Sequence, residues 1–528
     1  MANEEGNSRL RANLKRRRAS GISQREWPNP LSSFAANRKI AASTNESLIS
    51  SNLLRIYHDV LEHSLSCWLT EITCPYRSRP VPLQKSFKSA EWGPSWSNRL
   101  YHRTLKLEEA AKKARLVRLS LSEDRACNRA LHLAIMAFAT QWTQGSRRNH
   151  EMAEDSFGGL ADEFDREIQW HFWSQSEKVL REMTDVESFR LACAEAILGL
   201  VQELPHRELP HREQEVATVA ETKTYRPSRS RFDQDRLAHE ISQAISQDGP
   251  PKYMERAARR MHTLKFRFDS VMKAVAHTRS SRDDGAINAA QSMSEDDQTS
   301  VGLLYWLAVM FDTVSSSINH RPLVVSDQDC QHQDSPGEEA DSPRWNVDRF
   351  AQDRLESPAQ RARWPCTYEE LAEAVTKSGP VKVLLYRHVA WLQNSLRRGQ
   401  QGEKIEDILH SAMNLYRYWN TTYGQLFRDL VRDFACVPGR IQSWFVCISG
   451  HWHLAAMLLA ELIETVNKQG LGTRDGMDQR LRARIVARMQ DTSIKELSDL
   501  AGVATSSHAD GGPPLHGAPA SGLPSFGQ

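Results

Sequence analysis

The hydrophobic positions of the chain predict helices rather than a sheet. From Leu53 to Trp68 apolar residues recur at spacings of three and four, the period of a helix that buries one face. Alternation of apolar and polar residues, which marks half-buried strands, does not recur over consecutive segments. The predicted fold class is therefore all-α, a large multi-helix bundle. Similar helical patterns cover 101–121, 124–143, 158–183, 186–204, 236–276 (interrupted at 249–251), 301–319, 368–377, 381–398, 404–422, 425–434, 439–468 and 474–500.

Polar segments divide the chain into a predicted helical domain and flanking regions. Residues 1–48 are predicted to be a disordered basic segment, and residues 504–528 a disordered tail rich in glycine, proline and serine. Between them the helical domain spans 49–503, with linkers near 204–235, 280–298 and 326–365. Of the 528 residues, 40% are hydrophobic, yet 14 are tryptophan, which indicates a core diluted by polar linkers.

Charge restricts the contacts that the chain can make with nucleic acid. Sixty-eight basic and 66 acidic residues give a formal net charge of +2, so binding of a polyanion requires a local patch. One such patch is the run Lys15, Arg16, Arg17, Arg18, interpreted as a nuclear import signal or a phosphate-contacting arm; a solvated basic tail is the alternative. The stretch 327–341 is acidic, and is either a contact for coactivators or a solvated linker.

Candidate metal ligands and enzyme motifs are few. Eight cysteines without a Cys-x-x-Cys pair are too sparse for a disulfide scaffold, which favours a reducing, intracellular compartment. Glycine-rich phosphate loops, Gly-x-Ser-x-Gly and His-Glu-x-x-His are missing, so neither catalytic nor metal residues are predicted. A possible group of metal ligands is His58, His63, Cys67 and Cys74, but the first three lie on the amphipathic helix and their spacing does not place them on one side of it; structural cysteines and partly buried histidines are the alternative.

The longest apolar stretch is interpreted as a buried helix. It runs from Trp444 to Ile463 and carries His451, His453 and Glu461. Charged and titratable side chains are costly inside a bilayer, so a membrane span is not expected here.

The region from Leu303 to Asp327 carries the most specific pattern in the chain. An aromatic-rich helix is followed by an aspartate, small residues, an Arg-Pro pair and a Ser-Asp turn. This pattern resembles the middle homology domain of fungal zinc-cluster transcription factors. The stretches 54–75, 130–142, 381–389 and 441–448 extend the resemblance to the L-arabinose-responsive regulators of that family. The matching signature positions are Trp306, Asp312, Ser316, Arg321, Pro322 and Asp327.

The signature also has a physical interpretation. Asp312 lies in a helix that is otherwise apolar on all sides, and a buried carboxylate requires a partner. Arg321, in the segment that leaves the helix before Pro322, is predicted to be that partner.

The resemblance implies a nuclear regulator of sugar-catabolic genes that reads DNA through six cysteines holding two zinc ions near the N-terminus. No cysteine precedes Cys67, so that cluster is missing here and no zinc ligand can be carried over. The chain is therefore expected to bind no cofactor, and to contact DNA only weakly or through a partner. A truncated gene model, an isoform and a paralogue without the DNA-reading module remain open.

Two functions follow as expectations. The first is a pentose-responsive transcription regulator, represented by its regulatory domain, whose effector pocket is hypothesised to involve Tyr305, Trp306, Arg321, His451 and Trp452; ordinary core packing is the alternative for these residues. The second is an interaction scaffold or dominant-negative dimerisation partner of intact zinc-cluster regulators. Expected partners are a second copy, a related regulator, or a coactivator or co-repressor, with no membrane contact.

Overall fold

The computed structural model describes residues 50–67, 74, 100–148, 158–201, 251–278, 293–325 and 363–509. These residues are 84% helical, contain thirteen helices and include no strand, which confirms the all-α prediction. The chain divides into two units, Met1–Asn52 and Leu53–Gln528. Apart from the first three residues of the first helix, everything described below belongs to the second unit.

The first seven helices lie before residue 325. Helix α1 comprises an α-helical stretch at 50–57, a π-helical turn, His58–Glu62, and a last α-helical turn, His63–Leu65. The others are α2 (Leu100–Lys113), α3 (Leu121–Arg148), α4 (Gly158–Glu182), α5 (Phe189–Leu198), α6 (Pro251–Thr278) and α7 (Glu295–Ile318).

Several boundaries in this half differ from the sequence prediction: α3 runs to Arg148 rather than to 143, and α5 ends at Leu198 rather than at 204. Helix α2 ends at Lys113 instead of continuing to 121, because Arg115 adopts a left-handed conformation with a φ of 56°. Helix α7 begins at Glu295 rather than at 301, so the linker predicted near 280–298 was placed too far along the chain. Its start is fixed by a capping box, in which Ser294 and Asp297 cap each other's backbone N–H groups.

The other six helices follow residue 363. They are α8 (Tyr368–Arg397), α9 (Glu403–Thr422), α10 (Gly424–Arg432), α11 (Gly439–Gln469), α12 (Arg474–Arg482) and α13 (Ile485–Ala509).

Three predicted boundaries are wrong here. Helix α8 continues through Pro380, where two helices were predicted; this proline is buried, and packing outweighs the loss of one backbone hydrogen bond. The helix predicted at 474–500 is two helices, because Arg484 adopts a left-handed conformation with a φ of 48°. Helix α13 also extends to Ala509, into the predicted disordered tail.

The helices pack in a continuous order that places α7 and α8 at the centre. Helices α4, α3, α5, α6, α7, α8, α11 and α13 each pack on the next, and α2 packs on both α5 and α7. Helix α8 packs against both α7 and α11, whereas α7 and α11 share no extensive contact.

Two helices, α7 and α11, are long and apolar enough to cross a membrane by length and composition. In α7, 78% of the most apolar window is buried inside the fold, against 50% in α11. These values fit central helices of a bundle.

Candidate functional site

The signature residues converge where the end of α7 meets α8. Asp312 is fully buried and forms an ion pair with Arg321, whose Nη1 lies 2.7 Å from Oδ1 of the carboxylate. Ser316, one turn further along α7, donates to the same carboxylate at 3.3 Å. The predicted contact between Asp312 and Arg321 is therefore confirmed.

The same carboxylate holds the segment that follows α7. The backbone N–H groups of Val324 and Val325 donate to Oδ2 of Asp312 at 2.9 and 3.3 Å. Arg321 also donates to the carbonyl oxygen of Pro322 at 3.1 Å. One buried carboxylate thus fixes the path of residues 319–325.

Helix α8 completes this arrangement through a residue that the sequence analysis did not select. Arg387 is fully buried and donates to Oγ1 of Thr313 and to the carbonyl oxygen of Val325, each at 3.0 Å. Ser317 of α7 donates to the carbonyl oxygen of Tyr386 at 2.8 Å. We call this set of contacts around Asp312, Arg321 and Arg387 the polar junction. The sequence contained a signal for Arg387, because it stands within the apolar stretch 381–389 and a buried charge requires partners, as argued for Asp312.

The remaining signature positions have different locations. Trp306 is fully buried in the middle of α7, among the core side chains. Pro322 is exposed in the segment after α7. Asp327 lies outside the described residues, as do the basic run Lys15–Arg18 and the acidic stretch 327–341.

The five hypothesised pocket residues fall on two sides of α8. Tyr305 lies on α7 and its hydroxyl is 3.2 Å from Nδ1 of His262 on α6. Trp452 lies on α11 and stacks on Trp419 of α9, with 4.1 Å between ring centroids. Since α8 packs between α7 and α11, His451 and Trp452 lie apart from the three residues of the α7 side, and among those Arg321 follows the end of α7, about three turns beyond Tyr305 and Trp306.

His451 belongs to a second buried cluster, on the far side of α8. Its Nδ1 lies 2.8 Å from the carbonyl oxygen of Cys447, and burial together with the Lys382 charge lowers the pKa of His451 to about 4. Lys382 on α8 is only 3% exposed, and burial lowers its pKa to about 8, although the nearby thiols of Cys447 and Cys67 act in the opposite direction. Burial in turn raises the pKa of both thiols, which makes them poor nucleophiles.

The residues weighed as metal ligands are separated into different contacts. His58 pairs with the buried carboxylate of Glu62, whose other oxygen accepts the backbone N–H of Tyr101 at 2.7 Å. The thiol of Cys67 donates to the carbonyl oxygen of Ser64 at 3.2 Å. Within the part of the chain that the structure describes, no group of three or more histidine, cysteine, aspartate or glutamate side chains is suited to hold a metal ion.

Comparison with known proteins adds no relative: no family model matches the chain, no curated protein is significantly similar to it, and no solved structure matches it.

Proposed function

We propose that the chain is the helical regulatory portion of a nuclear transcription regulator of the fungal zinc-cluster type, controlling genes for L-arabinose or other pentose catabolism. The observation that supports this proposal is the polar junction. Three residues of the resembled signature meet there, since Arg321 and Ser316 both contact the buried carboxylate of Asp312.

The junction also has a position suited to regulation. Helix α7 packs on α2 and α6 on one side and on α8 on the other, so it connects the two halves of the bundle. A ligand that binds one arrangement of the α7–α8 contact more tightly would shift the population toward it. The hypothesised pocket cannot be one cavity of all five residues, and we retain Arg321, the member that belongs to the polar junction.

A tethered reporter tests this proposal. The full chain is fused to a heterologous sequence-specific DNA-binding domain, and transcription from a promoter carrying its sites is measured with and without L-arabinose. We expect a several-fold change in output on addition of the sugar, lost in Asp312→Asn and retained in Asp499→Asn, a matched change at an exposed aspartate of α13. Output equal to that of the DNA-binding domain alone, with and without the sugar, would refute the proposal.

We propose as a second candidate that the chain works without a six-cysteine cluster of its own, since the printed sequence contains none. The chain would then act as a scaffold that pairs with intact zinc-cluster regulators and inhibits them. Gel-shift assays separate the two: sequence-specific DNA binding by the purified chain contradicts the scaffold, whereas absence of binding together with co-purification of a cluster-bearing regulator supports it.

A further inference from the structure

The turn that joins α12 to α13 presents an apolar side chain among arginines. Leu481 is 58% exposed, one of five large hydrophobic side chains that are exposed among the described residues. Arg482, Arg484 and Arg488 around it are exposed as well. We call these four residues the arginine–leucine turn.

The backbone of this turn is held in place from the inside. Arg480 is only 7% exposed and contacts the Glu406 carboxylate at 2.5 Å and Oδ1 of Asn467 at 3.1 Å. The N–H of Arg484, in its left-handed conformation, donates to the carbonyl oxygen of Leu481 at 3.1 Å. Because these contacts fix the chain on both sides of Leu481, its exposure is a property of a defined turn.

The exposed arginines of the turn outnumber the acidic residues next to them. Asp478 lies four residues before Arg482 and Asp491 three residues after Arg488, none occurs between these two aspartates, and helix α13 has no acidic residue in its first turn. None of the three exposed guanidinium groups pairs with a carboxylate among the residues that the structure describes. By contrast, exposed Arg428 on neighbouring α10 pairs with Glu496 at 3.1 Å. Arg484 and Arg488 lie at the N-terminal, positive end of α13, where an arginine is unfavourable and an anionic partner would relieve the repulsion, whereas Arg482 lies in the last turn of α12, where a cation is favourable.

We propose that the arginine–leucine turn is a docking surface for an acidic segment of a partner protein, which pairs carboxylates with Arg482, Arg484 and Arg488 and covers Leu481 with an apolar side chain. Planar guanidinium groups bind carboxylates through paired hydrogen bonds. The leucine beside the arginines favours a protein segment, which can offer carboxylates and an apolar side chain together, over contacts made to a phosphate backbone alone. The inference rests on exposure and charge, and does not depend on the proposed function.

Fluorescence anisotropy with the full chain tests the proposal. The probe is a fluorescein-labelled peptide in which aspartates and glutamates flank two leucines, and the control peptide has serines in place of the leucines. We expect saturable binding that weakens with salt and is weaker for the serine peptide. Arg482→Glu/Arg484→Glu should reduce affinity about tenfold, and Leu481→Ser about threefold.

A matched variant controls for net charge. Arg118→Glu/Arg125→Glu changes the chain by the same charge at exposed arginines on and just before α3, and should leave affinity within about twofold. Equal loss in both double variants, or no saturable binding, would overturn the proposal. So would binding of random-sequence duplex DNA that depends on the arginines while Leu481→Ser has no effect, since that identifies a phosphate-binding patch instead.

Discussion

Breaking the pair between Asp312 and Arg321 should destabilise the bundle and free the segment after α7. The Asp312 carboxylate forms an ion pair with Arg321 and accepts three hydrogen bonds, from Ser316 and from the backbone of Val324 and Val325. Arg321→Met keeps the apolar stem and removes one charged donor, while the other three remain. A hydrogen bond to a charged group contributes about 1.5–3 kcal/mol, so we expect a loss of about 2 kcal/mol in the free energy of unfolding.

Asp312→Ala should cost more than Arg321→Met. It removes the acceptor of two backbone N–H groups and leaves Arg321, whose side chain is only 12% exposed, without its counter-charge. Removal of one partner from a buried ion pair costs about 3–5 kcal/mol. In the double variant the penalty of the unpaired charge disappears, so the coupling energy should be about 1–3 kcal/mol.

Urea denaturation of the four proteins measures this coupling, and amide hydrogen exchange locates it. Exchange at Val324 and Val325 should accelerate strongly in Asp312→Ala, because both N–H groups lose their acceptor, and much less in Arg321→Met. A coupling energy near zero, or unchanged protection at these two amides in Asp312→Ala, would refute the assigned role of the carboxylate.

Three further outcomes follow from other buried contacts. Gly476→Ala should lower the melting temperature, because a Cβ there would lie 2.5 Å from the Glu406 carboxylate and displace it from its hydrogen bonds, at a cost of about 1.5–3 kcal/mol. Lys382→Met should raise the free energy of unfolding at pH 7 by up to about 3 kcal/mol, because burial lowers the pKa of Lys382 from 10.5 to about 8. The stability of the wild type should rise with pH between these two values, so the difference in stability between the two proteins should shrink. Urea midpoints at pH 7 and pH 10 test this. Burial raises the pKa of Glu496, but the bond from His453 and nearby charges outweigh it and the net shift is downward; wild-type stability should therefore fall as the pH drops below 4.5, and Glu496→Gln should flatten that dependence in urea titrations.

Helix periodicity was sufficient for the fold class but not for several helix boundaries. The pattern of apolar residues identifies the buried face of a helix, and all-α packing follows from it. The start of α7 was missed because its first turn is polar and is defined by the Ser294–Asp297 capping box. The division between α12 and α13 depends on Arg484 in a left-handed conformation, which a sequence signals clearly only when the residue is glycine.

The part of the site that could be predicted is the pair of Asp312 and Arg321. Asp312 stands in an apolar stretch with a helical pattern, so its burial and its need for a partner could be argued from the sequence alone. The pocket hypothesis needed the spatial order of helices, which periodicity does not contain. Trp306 and Trp452 are both core tryptophans, yet α8 lies between their helices. The sequence analysis also missed the buried pair of Arg190 on α5 and Glu108 on α2, which lie 3.3 Å apart, because periodicity does not show that these two helices are neighbours.

The energy of the polar junction is compatible with control by a ligand. The Arg321 contact is worth about 2 kcal/mol by the argument above, and a hundredfold difference in affinity between two states supplies about 2.7 kcal/mol. An effector with that preference could therefore open the Asp312–Arg321 contact while Arg387 continues to join α7 to α8 through Thr313. A junction made only of apolar packing has no comparable single contact to exchange. Under the proposed function, the buried charge pair would be the contact at the centre of the bundle that an effector exchanges while the surrounding packing is kept.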